Sequence, residues 1–101
     1  MSKVTFTIGE LTPGKPRKMD VGGEDVCVTR IGDEVFAIGD VCTHSEASLS
    51  EGDVSDYKIE CWLHGAEFDL RNGKSLTPPA TEDAKVFAVT RDGDTVTISH
   101  N

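Results

Sequence analysis

The segment CTHSEASLSEGDVSDYKIECWLH, residues 42–64, contains two of the three cysteines and two of the three histidines of this 101-residue chain. Each end of the segment pairs one cysteine with one histidine: Cys42-x-His44 first, then, after sixteen residues, Cys61-x-x-His64. Thiolates and neutral imidazoles are both good ligands for iron and zinc. The segment therefore predicts a metal centre held by these four side chains.

The order of the ligands distinguishes two kinds of metal centre. Structural zinc sites usually pair like ligands, cysteine with cysteine and histidine with histidine, at spacings that let one short turn hold one ion. Here each pair combines unlike ligands. This order favours a binuclear site in which each pair gives its Cys to one metal and its His to the other, as in Rieske [2Fe–2S] centres. A single structural zinc ion remains the alternative.

A longer stretch, CTHSEASLSEGDVSDYKIECWLHGAEFDLRNGKSLTPPA, resembles the cluster-binding half of the Rieske-type ferredoxins of multicomponent aromatic ring-hydroxylating dioxygenases. The resemblance covers the ligand spacing, the LSEG turn, the HGAEFDL strand, the NGK turn and the Pro78-Pro79 loop. It implies one [2Fe–2S] cluster, with Cys42 and Cys61 on one iron and His44 and His64 on the other.

The same resemblance implies a function. The chain is expected to carry one electron at a time from an NAD(P)H-dependent flavoprotein reductase to the terminal Rieske non-haem-iron oxygenase, as a monomer and without catalytic residues of its own. Two alternatives stay open. One is a structural zinc or interaction module, and the other is a Rieske-type subunit of another reductase or a redox sensor.

The chain departs from the respiratory Rieske proteins at four positions. Ala47 and Leu63 stand where that branch has two extra cysteines, so no disulfide is expected there, and Ala66 and Phe68 replace a Ser and a Tyr that donate hydrogen bonds to cluster sulfurs. Such hydrogen bonds stabilise the more negative, reduced state and raise the potential. Their absence predicts a potential near the low end of the Rieske range, about −150 mV.

Period-two alternation of apolar residues predicts an all-β fold for the whole chain. Alternation in KVTFTIG, DVCVTRI, EVFAIGDV and YKIECW indicates strands, and the turns at Ile31–Glu34 and at Asp92-Gly93 predict tight hairpins. No linker interrupts the sequence, and SEASLSEG has room for one short helical turn. The expected architecture is one Rieske domain, residues 1–101, of small antiparallel sheets, with a cluster-binding subdomain, about residues 40–80, inserted in a β base domain.

The charge distribution limits the possible partners. The net charge of −8 argues against nucleic acids and anionic membrane surfaces. Residues 40–69 carry eight acidic side chains and one basic side chain, a balance of −7, so nearly all the charge lies around the predicted metal centre. This segment is either a solvated surface or a docking surface for basic partners.

The remaining cysteine and histidine are not expected to bind the metal. Cys27 lies on a predicted strand opposite Val26 and Val28, where a cysteine usually acts as a small buried apolar residue. His100 is predicted to be a solvated tail residue. An unpaired cysteine, together with the lack of an apolar leader or membrane span, favours the cytoplasm.

Overall fold

Three small antiparallel sheets make up the computed structural model, which describes residues 3–40, 48–62, 65–76 and 83–99. This architecture confirms the predicted all-β fold. The described strands are β1 Lys3–Thr7, β2 Arg17–Val21, β3 Glu24–Ile31, β4 Glu34–Gly39, β5 Asp53–Ser55, β6 Lys58–Glu60, β7 Glu67–Asp69, β8 Ala88–Asp92 and β9 Thr95–Ser99. Two 3-10 turns, Ile8–Glu10 and Leu49–Glu51, complete the regular structure of these residues.

The two hairpins predicted from turn residues are present. The pairing of β3 with β4 extends to Ile31 opposite Glu34, and the pairing of β8 with β9 extends to Asp92 opposite Thr95. The first residue of each two-residue turn is a glycine with φ of 61°. Glycine adopts this left-handed conformation without steric cost, which is why such turns mark tight hairpins in a sequence.

The middle sheet, in the order β2-β3-β4, separates two apolar cores. On one side, Val26 and Val28 of β3 pack with residues of β1, β8 and β9. On the other side, Cys27 packs with residues of the third sheet. Strand β3 is therefore buried on both faces, which explains the continuous apolar run VCV at its centre.

The third sheet, in the order β5-β6-β7, is formed by residues between β4 and β8 of the chain. Its inner row consists of Val54, Ile59 and Phe68, which are directly paired across the three strands and pack into the second core. A Cβ atom at Gly52 would overlap the backbone carbonyl of Glu60. Glycine at position 52 thus lets the start of β5 lie close to the end of β6, just before Cys61.

Several element boundaries differ from those predicted. Strands β2 and β5 were not predicted, and β6 covers only the KIE part of YKIECW. Strand β1 ends at Thr7, whose backbone N–H donates to Glu10 Oε2 at 2.8 Å as Ile8 begins a 3-10 turn. The helical turn expected in SEASLSEG is present at Leu49–Glu51.

Other predicted features fall partly or wholly outside the described residues. Residues 45–47 of SEASLSEG and the Pro78-Pro79 loop are among them. Within the described residues, no helix has the length and apolar character needed to cross a membrane.

Candidate metal centre

Cys61 is the predicted ligand that the structure describes. It follows β6 directly and has no exposed surface. Its backbone is fixed by two hydrogen bonds, from Cys61 N–H to the Ala66 carbonyl at 2.7 Å and from Gly65 N–H to the Cys61 carbonyl at 2.9 Å. Gly65 has a φ of 75°, which glycine adopts readily. These bonds bring Gly65 and Ala66 back to Cys61. The connection between β6 and β7, whose described residues are Cys61, Trp62, Gly65 and Ala66, is called the 61–66 turn below, and the predicted ligand position 64 falls within it in sequence.

The other three predicted ligands, Cys42, His44 and His64, lie outside the described residues, as does His100. Within the described residues, no group of three or more His, Cys, Asp or Glu side chains is placed to hold a metal ion. The four-ligand assignment therefore stays a prediction, and what the structure gives is the surroundings of Cys61 and of the ends of segment 41–47.

These surroundings fit a metal centre shared by the two Cys/His pairs. Leu49, which follows the first pair in the chain, packs in the same buried cluster as Cys61 and Ala66. The chain that follows the first pair is thus brought into one core with the residue that starts the second pair and one that follows it. Cys61 is a free thiol with no disulfide to a described residue. A free buried thiol at the start of a tight turn is a suitable ligand for iron, which binds the thiolate form.

Cys27 has a different environment from a ligand. It lies in the middle of β3, fully buried, with Sγ 3.9 Å from Thr29 Oγ1. Burial raises the pKa of this thiol to about 12, the Thr29 hydrogen bond partly opposes the rise, and the charge of Asp40 adds to it. The thiol therefore stays protonated at neutral pH, and its prediction as an inert core residue is confirmed.

Ala66 and Phe68 lie in the same buried cluster as Cys61, and neither has any exposed surface. Both positions therefore border the turn that carries Cys61. Neither side chain has a hydroxyl group, so neither donates a hydrogen bond. The prediction of a low potential depends on two side chains that cannot donate a hydrogen bond, and both lie buried in the core beside Cys61.

The outer face of the third sheet carries a row of three acidic residues. Asp53 is paired directly with Glu60, and Glu60 with Glu67, so the three side chains lie side by side on one face. This acidic row lies at the Cys61 end of the sheet, because Glu60 immediately precedes Cys61. Carboxylates directly opposite one another across strands destabilise a sheet. The sequence indicates the negative charge of this segment but not the row, because the row depends on strand β5, which was not predicted.

Two large apolar side chains are exposed near the acidic row. Trp62, in the 61–66 turn, is 54% exposed, and Leu76, whose N–H donates to the Glu67 carbonyl at 2.8 Å, is 44% exposed. The acidic row, Trp62 and Leu76 are together called the outer face below. Aromatic residues surrounded by polar groups are typical of surfaces that bind another protein.

Charges at the opposite end of the third sheet are paired. Arg71 binds Asp69 through two side-chain hydrogen bonds, of 3.1 and 3.0 Å, and its guanidinium lies 4.9 Å from the centre of the Tyr57 ring. The hydrogen bonds from Arg71 hold the pKa of Asp69 below its usual value. The negative charge of Asp69 at this end is therefore balanced by Arg71, while the acidic row lies at the other end, next to Cys61.

Comparison with known proteins identifies the family. The model of the Rieske [2Fe-2S] domain matches residues 3–88. The ferredoxin component of biphenyl 2,3-dioxygenase from Rhodococcus jostii is 39% identical over 90 residues, which cover 89% of this chain and 84% of that protein.

Solved structures agree with the sequence match. The ferredoxin of carbazole 1,9a-dioxygenase from Nocardioides aromaticivorans superposes with a TM-score of 0.94 at 35% identity, with all of both chains covered. A chain from the complex of reduced oxygenase and oxidised ferredoxin in carbazole 1,9a-dioxygenase gives a TM-score of 0.89 at 33% identity, covering 96% of this chain and 92% of that one. The chain belongs to the Rieske [2Fe-2S] domain family.

Proposed function

We propose that this chain is a one-electron carrier of a multicomponent dioxygenase system, and that it works as a single domain over residues 1–101. Its cofactor is one Rieske-type [2Fe-2S] cluster, with Cys42 and Cys61 as ligands of one iron and His44 and His64 as ligands of the other. The observation that carries the proposal is the free, fully buried Cys61 at the start of a tight turn, packed in one core with Leu49.

The bound cluster would supply a site that accepts and releases one electron without changing its ligands. The protein contributes the environment of that site. The 61–66 turn fixes the backbone of Cys61 through its two hydrogen bonds. Leu49, Ala66 and Phe68 exclude water from the inner side of this turn because all three are fully buried. A rigid, dry environment lowers the cost of reorganisation when charge changes.

The proposed partners are a flavoprotein ferredoxin reductase and a terminal oxygenase. Support comes from the similar proteins, one a ferredoxin component of biphenyl 2,3-dioxygenase and another solved with the oxygenase of carbazole 1,9a-dioxygenase. A carrier that alternates between two partners must keep the same face free for each. We therefore propose that the protein is a monomer. We also propose that it acts in the cytoplasm.

Encounter with these partners is proposed to use the outer face. The acidic row adds three carboxylates beside the turn of Cys61, and Trp62 adds an exposed aromatic ring. Negative charge around a docking site attracts basic partners and speeds their encounter, and the effect weakens as salt screens it, with a Debye length of about 10 Å at 0.1 M. Electron transfer from reductase to this protein should slow as ionic strength rises. A rate that is flat from low to high salt would exclude steering.

The ligand assignment can be tested with two matched pairs of variants. His64→Ala and Cys61→Ser should abolish the visible absorption and the bound iron and sulfide, because each removes a proposed ligand. His100→Ala and Cys27→Ser, which change the same residue types elsewhere, should retain the cluster. A His64→Ala protein with the wild-type spectrum would refute the assignment. Reduction of the wild-type protein by NADH and a ferredoxin reductase would then test the electron-carrier function.

A further inference from the structure

Asp40 is a fully buried acidic residue next to the first Cys/His pair, at the point where β4 has just ended. Its N–H donates to the Asp25 carbonyl at 3.0 Å and so extends the pairing of β3 with β4 by one residue. Its carboxylate Oδ2 has no hydrogen-bond partner among the described residues. A buried carboxylate oxygen without a partner lowers stability, so its presence calls for another explanation.

The other polar atoms of Asp40 bind the chain on the far side of the first Cys/His pair. The Asp40 carbonyl accepts a hydrogen bond from Leu49 N–H at 2.5 Å, and its carboxylate Oδ1 accepts one from Ser50 N–H at 2.8 Å. These two N–H groups belong to the first turn of the Leu49–Glu51 helix, where backbone donors lack partners within the helix. One residue thus joins the two ends of segment 41–48, which contains Cys42 and His44.

The residues that flank segment 41–48 also adjoin the core that contains Cys61 of the second Cys/His pair. Leu49 packs in the buried cluster that contains Cys61, Ala66 and Phe68. The charge of Asp40 acts on the same cluster, since it contributes to the raised pKa of Cys27. The position at which segment 41–48 starts and ends is therefore fixed relative to Cys61 through Asp40 and Leu49.

We propose that Asp40 is a positioning residue for the [2Fe–2S] cluster, joining both ends of the segment that carries Cys42 and His44 and holding them against the core that buries Cys61. The proposal rests on the ligand assignment made under the proposed function. Asp40 acts through the segment and is not itself a ligand. Its carboxylate slows the loss of the [2Fe–2S] cluster more than it raises the free energy of unfolding of the chain.

The test measures release of iron to a chelator from the holoprotein, at a temperature where far-UV circular dichroism shows the sheets intact. Asp40→Ala removes the carboxylate, and Ser50→Pro removes the N–H that binds it. Because each variant removes the hydrogen bond between Asp40 and Ser50 that joins the two ends of segment 41–48, both should release iron about tenfold faster than wild type. Asp40→Asn, which keeps the acceptor oxygen, and Ser50→Ala, which keeps the N–H, should stay within about threefold of wild type.

Two results would overturn the proposal. One is release from Asp40→Ala and Ser50→Pro at the wild-type rate. The other is release that follows only the loss of circular dichroism, which would show a purely structural role. If Asp40→Ala does not fold, the comparison of Ser50→Pro with Ser50→Ala decides the question alone. Wild-type protein without iron and sulfide would refute the proposed function instead.

Discussion

Two buried cysteines in this chain are predicted to have opposite chemical roles, and their local surroundings differ accordingly. Cys27 lies inside β3, where burial keeps its thiol protonated, whereas Cys61 begins a tight turn beside the chain that follows the first Cys/His pair. Alternation and ligand spacing predict this difference from sequence. The bonds of Asp40 could not be predicted, because nothing in the sequence reveals which acidic residues are buried, as Asp40 and Asp69 are, or which N–H groups they bind.

Cys27→Ala should keep the full iron and sulfide content but lower the free energy of unfolding by about 1 kcal/mol, because the smaller side chain leaves a cavity in the core. The thiol of the unfolded chain ionises near pH 9, while in the folded protein its pKa is about 12. The stability that Cys27 contributes is therefore present below pH 9 and lost as pH rises toward 12. Over this range the melting temperature of wild type should fall to that of Cys27→Ala and then below it, and parallel pH profiles would contradict the account.

Ala66→Ser should raise the midpoint potential of the [2Fe–2S] cluster, because it adds a hydroxyl donor to the apolar core around Cys61. A hydrogen bond worth about 1 kcal/mol more in the reduced state raises a one-electron potential by about 40 mV. Redox titration of wild type, expected near −150 mV, and of the variant would measure both values. Ala66→Gly, which adds no donor, is the control. A wild-type midpoint well above 0 mV would contradict the low-potential prediction.

At the scale of elements, sequence predicted those strands whose apolar residues alternate beside a clear turn, such as β3, β4, β8 and β9. It missed β2, where RKMDV has few apolar residues, and β5, which is only three residues long. Such strands are specified by their neighbours more than by their own residues. Missing β5 also hid the acidic row, because a cross-strand row requires the register of all three strands.

Glu60→Gln tests the acidic row, because Glu60 is its central member. Removing the repulsion between opposite carboxylates should raise the free energy of unfolding by about 0.5 kcal/mol. The same change should slow electron transfer from the reductase roughly twofold at low salt, because it weakens the attraction to a basic partner. Thermal melts and stopped-flow kinetics would measure the two effects.

The matched control is Asp94→Asn, which removes the same charge from the turn between β8 and β9. This variant should show neither the gain in stability nor the slower electron transfer. Equal slowing in the two variants would mean that net charge, and not the acidic row, determines the rate.

In the molecule as a whole, the middle sheet packs against both halves of the fold. One face of β3 packs on the base formed with β1, β8 and β9, and the other packs on the core that contains Cys61. The third sheet has short strands and a core that surrounds a free thiol, so metal binding should stabilise this half in particular. Composition and alternation predicted the all-β class, and the division into two cores appeared only in the structure.

The two Cys/His pairs are proposed to bind one [2Fe–2S] cluster that takes up one electron. Anaerobically purified protein, analysed for iron and acid-labile sulfide and by electron paramagnetic resonance after dithionite reduction, tests it most directly. The account predicts about two irons, about two sulfides and about one unpaired spin per chain. Colourless protein that contains zinc and gives no signal after reduction would contradict it.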